Sequence, residues 1–257
     1  MAELIRNARV SSELNSKEVA LLAGVSASTV TRIERGEMRP TVEMVERLME
    51  AAGYSLDLAV TPKSDPSAIA AARSVLGSDT TLASFGTAAR YLERWTRMGL
   101  LDENGDAVSV REVAYRAAKS ARLAERPGMR YFERSTTWTD LGSRLNAVGI
   151  EWMNTGDSAA NRLYPYADQI WPVFYVEDTE AAVVATALIE RVGTYGPSIS
   201  LVPFDGVSET ERWQDGDGMW FADRFQVLID CYAGTTRMPE QADALIEMWT
   251  RIEAVSA

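Results

Sequence analysis

Hydrophobic residues in the first fifty positions recur every three or four residues, a spacing that places them on one face of a helix. The pattern predicts four short helices: one that ends at residue 11, and others over residues 16–23, 27–35 and 42–52. Their predicted inward residues are Leu4, Ile5, Ala8, Val10, Val19, Ala20, Leu22, Val30, Ile33, Val45, Leu48 and Met49. The sequence therefore predicts a small core made only of helices.

Capping residues mark where these helices begin and end. Asn15, followed three residues later by Glu18, is a capping-box pattern that opens the second helix, and Gly24 ends it. Ser26 caps the third helix. The outward residues of that third helix are Ala27, Ser28, Thr31 and Arg32. A short helix with a small, polar outward face, braced by the helix before it, is suited to the major groove of DNA.

The connection between the second and third helices has the sequence Ala20-Leu21-Leu22-Ala23-Gly24-Val25-Ser26, and Arg39-Pro40 follows the third helix. With these residues the chain closely resembles the Cro and lambda-repressor-like (XRE-type) helix-turn-helix family over residues 4–58. The resemblance implies base contacts by Ala27, Ser28 and Arg32. It implies phosphate contacts by Asn15, Ser16, Lys17, Thr29, Thr31, Arg35 and Arg39. The alternative is a helical bundle that binds protein.

Arg32 is the best candidate for reading sequence. Its guanidinium can donate two hydrogen bonds to one guanine, a contact worth about 1–3 kcal/mol of discrimination; the alternative is a solvated surface arginine. The partner that the resemblance implies is a double-stranded DNA operator, bound by a homodimer at two half-sites about 34–36 Å apart.

The middle of the chain is helical and basic. Residues 61–67 contain two prolines and are typical of a linker. The pattern then predicts helices over 67–76, 81–98 and 110–125, and a short strand or wing at 129–132. The basic residues Arg116, Lys119, Arg122 and Arg126 fall along one helix face. They predict either a second DNA-contact ridge, within a degenerate winged helix, or a face that docks on the acidic C-terminal third of the same chain.

Residues 135–257 are predicted to contain both strands and helices. Strands are predicted at 150–153, 171–176, 198–202 and 219–222, and helices at 139–148, 179–192, 224–232 and 239–253. The first strand leads through Thr155-Gly156 into a helix of small residues, which is typical of a βα unit. The predicted fold of this region is α+β.

Short motifs in this region carry a second resemblance. They are Thr155-Gly156-x-x-Ala159-Ala160, Tyr164-x-Tyr166, Pro172-Val173-x-Tyr175-Val176, Asp223-Arg224-x-Gln226-Val227-Leu228-Ile229-Asp230 and Ala242-x-Ala244-Leu245. They resemble the C-terminal domain of AbiEi-type antitoxins of type IV toxin–antitoxin systems. The resemblance implies an antitoxin that opposes a nucleotidyltransferase toxin without a tight complex, which makes a cognate toxin a second candidate partner. The acidic surface from residue 135 onward is either a solvated face or a docking site for a basic partner protein. The chain departs from that family by beginning with a Cro-like domain and an extra segment.

Charge is unevenly distributed along the chain. Residues 1–62 carry seven basic and nine acidic side chains, residues 63–134 carry twelve and nine, and residues 135–257 carry seven and nineteen, which gives −2, +3 and −12. Charges more than roughly 8 Å apart are largely screened at physiological salt. The acidic third therefore does not prevent the N-terminal domain from approaching phosphates.

Composition argues against enzymatic function. The chain has no histidine, and its one cysteine, Cys231, excludes an intrachain disulfide and a thiolate zinc site. Asp215 and Asp217 could hold a metal, but alternation with glycine favours a hairpin turn. We expect no catalytic residue, metal or cofactor. Since no run of eighteen apolar residues occurs, we also expect no membrane contact and a cytoplasmic location.

The sequence thus predicts a multidomain protein. Its parts are an all-α helix-turn-helix domain (1–62), a mainly helical basic segment with a winged helix as one option (63–134), and an α+β domain (135–257). The predicted function is that of a sequence-specific transcriptional regulator, an autoregulating repressor that reads DNA with residues 26–35. The alternative is an antitoxin or interaction protein that acts mainly through residues 135–257.

Overall fold

The computed structural model describes residues 1–61, 63–77, 79–133, 135–166, 171–191 and 198–256. The chain forms two compact units, residues 1–61 and residues 62–257. Two residues that figure in the predictions, Pro62 of the linker and Val192 at the end of a helix, lie outside the described residues.

The first unit consists of four helices, as predicted. They are α1 (Ala2–Ser11), α2 (Ser16–Ala23), α3 (Ala27–Glu34) and α4 (Val42–Ala51). Their buried core contains Ile5, Ala8, Val19, Ala20, Ala23, Val30, Ile33, Val45, Leu48, Met49 and Ala52. Each helix is short and buries only two or three residues, so the unit depends on close packing of small side chains.

Three predicted core residues of this unit were wrong. Leu4, Val10 and Leu22 are 47%, 56% and 64% exposed. The packed face of α2 is made by small residues, Ala20 and Ala23 among them, and Leu22 lies beside that face toward solvent. Helical spacing alone does not determine which edge of an apolar stripe becomes buried.

The second unit begins with helices α5 (Pro66–Leu76), α6 (Ala88–Arg97) and α7 (Val110–Ala121), with 3₁₀ turns at Thr80–Ser84 and Leu123–Glu125. The helix predicted over 81–98 is divided at Gly86, whose φ is +51°. A Cβ at Gly86 would lie 2.7 Å from Ser67 Oγ, so a glycine is needed there. Helix α7 ends before the predicted residue 125, because Arg122 adopts a left-handed conformation.

A six-stranded mixed sheet forms the centre of the second unit. Its strands are β1 (Arg130–Glu133), β2 (Trp152–Thr155), β3 (Val173–Val176), β4 (Ser198–Pro203), β5 (Trp213–Gln214) and β6 (Trp220–Phe221). Their order is β1-β4-β3-β2-β6-β5. The β3–β4 and β2–β6 pairs are parallel, and the others are antiparallel.

Five further helices complete the unit: α8 (Trp138–Val148), α9 (Gly156–Leu163), α10 (Thr179–Thr186), α11 (Arg224–Ala233) and α12 (Met238–Ser256). The βα unit predicted after residue 150 is present as β2 and α9. The mixture of helices and sheet confirms the expectation of an α+β region.

The predicted boundary at residue 134 does not separate two units. Strand β1, expected as a strand or a wing, is an edge strand of the sheet, and its Phe132 is in register with Ile199 of β4. Helices α5 and α7 pack against α11. One buried hydrophobic cluster extends from Ile69 to Leu245. Residues 63–134 therefore share a core with residues 135–257, because the strand and helices that bury their apolar faces come later in the chain.

Candidate nucleic-acid interface

The N-terminus of α2 is closed by its own cap. Asn15 Oδ1 accepts hydrogen bonds from the backbone N–H groups of Lys17 and Glu18, at 2.9 and 3.1 Å. The Glu18 carboxylate accepts from the Asn15 N–H at 2.7 Å, which completes the predicted capping box. These N–H groups are thus already satisfied. A phosphate at this helix end would be held by the Asn15 amide, the Ser16 hydroxyl and the Lys17 ammonium rather than by these backbone donors.

The turn between α2 and α3 is fixed from α4. Gly24 ends α2 with φ +65°, as predicted. Arg47 donates through Nη2 to the carbonyl oxygens of Ala23 and Gly24, the latter at 3.0 Å. A Cβ on Gly24 would lie 2.8 Å from this guanidinium nitrogen. Because the last carbonyls of a helix lack partners within it, Arg47 both satisfies them and sets the angle at which α3 leaves the turn.

Helix α3 presents Ser28 and Arg32 to solvent. Val30 and Ile33 are fully buried against the other three helices. A helix advances about 100° per residue, so Ser28 and Arg32 lie on the opposite face. Both are exposed, whereas Ala27 is half-buried and packs against the core. Two of the three predicted base-contacting residues, Ser28 and Arg32, are therefore exposed to solvent. The third, Ala27, lies at the edge of the exposed face.

Hydroxyl groups cluster at the beginning of α3. Ser26 Oγ accepts from the Thr29 N–H at 3.1 Å and lies 2.8 Å from both Ser28 Oγ and Thr29 Oγ1. The Thr31 hydroxyl donates to the Ala27 carbonyl at 3.0 Å. Thr31 must therefore rotate its side chain before it can donate to a phosphate, while the hydroxyls of Ser28 and Thr29 stand at the exposed end of the helix.

Exposed cations precede and follow this helix along the chain. Lys17, Arg35 and Arg39 are exposed. Arg35 makes only a distant pair with Glu37, at 3.9 Å. Loosely held, exposed cations at the edges of a groove-binding helix can neutralise phosphates on either side.

An ion pair between α1 and α3 was not predicted. Arg9 Nε donates to Glu34 Oε1 at 2.6 Å, Nη2 donates to Oε2 at 3.1 Å, and Nη1 donates to the Leu14 carbonyl at 2.9 Å. The hydrogen bond to Glu34 raises the pKa of Arg9. The pair orients α3 and neutralises the only carboxylate on that helix. Since its partners lie 25 residues apart, no local spacing in the sequence indicates it.

The predicted second DNA-contact ridge does not exist as one surface. Arg116, Lys119 and Arg122 are exposed, but Arg126 is 4% exposed and lies beyond the end of α7. Its guanidinium donates to Asp230 at 2.8 Å. Helix α7 stops at Ala121, so the four residues do not share a helix face.

Arg126 instead belongs to a buried polar cluster of the second unit. Asp230 Oδ2 also accepts from Thr155 Oγ1 at 2.8 Å and from Gln226 Nε2 at 2.9 Å, and both carboxylate oxygens lie near the Tyr175 hydroxyl. Burial raises the pKa of Asp230, and the Arg126 charge opposes that shift. The alternative that we left open, basic residues of the middle segment binding acidic residues of the C-terminal third, is correct for Arg126.

Asp215 and Asp217 form the turn that we favoured over a metal site. Asp215 Oδ1 accepts from the N–H groups of Asp217 and Met219, each at 2.9 Å, between strands β5 and β6. Arg162 pairs with both carboxylates, at 3.0 and 3.6 Å. Within the described ranges, no group of three acidic or thiol side chains is placed to hold a metal ion.

Comparison with known proteins gives one match. Residues 5–58 match the family described as Helix-turn-helix. No curated protein and no solved structure matches the chain. None of the helices in the described part of the chain combines the length and the apolar character needed to cross a membrane. The chain therefore carries, in its first unit, a helix-turn-helix domain of the XRE type, and its function is that of a DNA-binding transcription regulator.

Proposed function

We propose that the protein represses its own operon by placing α3 in the major groove of an operator. The observation that carries the proposal is the Arg32 guanidinium, which is exposed on the face of α3 opposite Val30 and Ile33. Among the described residues, Arg32 has no ion-pair partner, so no protein contact must break before it binds a base. No catalytic activity and no cofactor are part of the proposal.

The proposed binding species is a homodimer on two operator half-sites. A single α3 offers only Ser28, Arg32 and the edge residue Ala27 to base edges. Three contacts specify few base pairs, whereas two copies one helical turn apart double the information read. Light scattering on the protein with and without operator DNA should give two chains per duplex.

Footprinting of the full chain on its own upstream DNA tests base reading. Arg32→Ala should lower affinity for the protected site by about fivefold to 150-fold, which corresponds to a loss of roughly 1–3 kcal/mol. Affinity for unrelated DNA should change little, because the loss of one cation removes at most about one phosphate contact from the salt-dependent binding.

A matched variant separates the loss of a base contact from the loss of a charge. Arg6 is exposed on α1 and is not among the residues predicted to contact DNA. Arg6→Ala should leave the footprint in place. An Arg32→Ala protein that protects the same site as strongly as Arg6→Ala would refute the role of Arg32.

The second candidate function is that of an antitoxin that acts through the second unit. Residues from several of the short motifs that resemble the AbiEi-type C-terminal domain, Thr155, Tyr175, Gln226 and Asp230, meet in the buried cluster around Asp230. This convergence supports the motifs as parts of one core. The −12 charge of residues 135–257 supports a basic partner protein.

A growth experiment separates the two functions. A chain cut at residue 134 would lose most of the second core, so the experiment uses the full chain and Arg32→Ala. Each is expressed with the product of the neighbouring gene and with a reporter of the native promoter. Arg32→Ala should lose repression; if it still rescues growth, the antitoxin function is separate and real. Absence of rescue by the unaltered chain would refute the antitoxin candidate and leave repression standing.

A further inference from the structure

Helix α6 has one buried face and, on its far side, three arginines beside one exposed carboxylate, that of Glu93. Ala88 and Trp95 are 0% and 1% exposed. At about 100° per residue, Arg90, Arg94 and Arg97 fall within roughly 60° of one another, on the far side of the helix from that buried pair. All three are exposed. The basic face of α6, as we call these three arginines, is thus directed away from the core of the second unit.

These guanidiniums are not committed to carboxylates. Arg97 Nε donates to the backbone oxygen of Glu93 at 3.3 Å, and Arg94 lies 4.8 Å above the ring of Tyr91. In the part of the chain that the structure describes, none of the three arginines forms an ion pair. Several other arginines of the unit do form ion pairs: Arg73 with Asp223, Arg126 with Asp230, Arg130 with Glu190 and Arg212 with Glu151. The basic face of α6 therefore keeps its charge available for a partner.

Of the three arginines, Arg94 is held in place by its contact with Tyr91. The Tyr91 hydroxyl donates to Asp65 at 3.0 Å, which fixes the ring on which Arg94 lies. A guanidinium stacked on an aromatic ring loses less side-chain entropy when it binds a ligand than a free one does. The face is therefore partly preorganised.

The chemistry and spacing of this face suit a phosphate backbone. Guanidiniums bind phosphate oxygens in pairs of parallel hydrogen bonds. From Arg90 to Arg97 the helix rises about 10 Å, and duplex DNA carries one charge per roughly 1.7 Å of its axis, so about six phosphates lie within that length. The second unit as a whole carries 19 basic and 28 acidic residues, a net charge of −9. Because screening limits repulsion to roughly 8 Å, a polyanion can approach at a locally basic face despite that total.

The covalent connection to the first unit favours DNA as the polyanion. Between α4 and α5 lie residues 52–65, which span at most about 48 Å when fully extended. A tethered surface meets the same duplex at an effective concentration near the millimolar range, so even a weak contact contributes to binding. We propose that the basic face of α6 is a second DNA-contacting surface, which binds backbone phosphates without reading sequence while the first unit is bound. The proposal rests on DNA binding by the first unit and not on repression.

The test compares two triple variants of the full chain. One replaces Arg90, Arg94 and Arg97 with Gln; the matched control replaces Arg116, Lys119 and Arg122 with Gln and removes the same charge from exposed positions of the same unit. Binding to the upstream duplex and to a scrambled duplex is followed by fluorescence anisotropy between 50 and 400 mM KCl. The α6 variant should reduce the slope of log affinity against log salt by up to about 2.7, three contacts at about 0.9 each. The control should keep the slope of the unaltered chain.

The outcomes are distinguishable. An α6 variant with the unaltered slope would overturn the proposal and leave an acidic protein as the partner of this face. Equal reductions in both triple variants would also overturn it, since general charge rather than a specific surface would then be responsible. Sequence reading by the first unit is measured separately. If the unaltered chain binds the upstream duplex and the scrambled duplex with equal affinity, the first unit does not read an operator. Tryptophan fluorescence checks folding, because all seven tryptophans lie in the second unit.

Discussion

Without the Arg9–Glu34 pair, the DNA-binding unit should unfold at a lower denaturant concentration, while the stability of the second unit stays the same. The two side chains are 16% and 11% exposed, so they are mostly removed from solvent. Arg9→Met leaves the Glu34 carboxylate without its two charged hydrogen bonds and the Leu14 carbonyl without its donor. Removing one partner costs about 3–5 kcal/mol for a fully buried pair and at most about 1 for an exposed pair. For this pair we expect about 2–3 kcal/mol.

The position of the tryptophans makes this prediction measurable in the full chain. The first unit contains no tryptophan, so tryptophan fluorescence reports only the second unit, whereas far-ultraviolet circular dichroism reports helices of both. With a urea dependence of about 1 kcal/mol per molar for a small domain, the midpoint of the helical transition of the first unit should fall by about 2–3 M urea. The fluorescence transition should not move.

Two further variants complete the test. Arg35→Met removes an exposed arginine that lies 3.9 Å from its nearest carboxylate and should cost no more than about 0.5 kcal/mol. Combining Arg9→Met with Glu34→Leu should cost less than the sum of the two single changes, by about 1–2 kcal/mol, because no charge is left unpaired. Equal losses of stability in Arg9→Met and Arg35→Met, or a shift of the fluorescence transition in Arg9→Met, would contradict a stabilising role for the pair.

Other predictions concern the second unit. Asp230→Leu takes from the buried Arg126 guanidinium its 2.8 Å partner, leaving the Asp205 carboxylate at 3.3 Å as its ion-pair partner, and it removes the acceptor of Thr155 and Gln226. It should lower the free energy of unfolding by about 3–5 kcal/mol, measured by tryptophan fluorescence, and a loss under about 1 kcal/mol would contradict the buried pair. Gly142→Ala places a Cβ 2.4 Å from Trp152 Cη2 and should cost about 1–3 kcal/mol in the same assay, whereas an unchanged midpoint would show that the helix can shift. Hydrogen bonding from Arg111 lowers the pKa of Asp243, so this pair stabilises the fold above the ordinary carboxyl pKa of 3.8 and loses its effect as pH falls further. Because both side chains are more than a third exposed, Arg111→Met should cost no more than about 1 kcal/mol at pH 7, and the cost should shrink as the pH falls below 3.8; a cost that does not change with pH would refute the linkage.

The sequence by itself determined the helix-turn-helix unit, since the signals for its helices are local. Asn15 and Ser26 hold backbone groups within three residues of themselves, and Gly24 supplies a conformation that other residues rarely adopt. Exposure of Ser28 and Arg32 follows from helical periodicity once the buried residues of α3 are known. At Leu22 the prediction was wrong, because periodicity locates an apolar stripe on the helix but not which of its residues are buried.

Only the tertiary structure decided which distant residues meet. The pairing of Arg9 with Glu34, the burial of Arg126 against Asp230, and the joining of β1 to β4 each connect positions that are 25 to 104 residues apart or belong to separate predicted segments. An arginine on a helical spacing has the same sequence signature whether it faces solvent or a buried carboxylate. What separates the two cases is where α7 ends and the position of α11, which places Asp230 beside Arg126; both are properties of the packed chain.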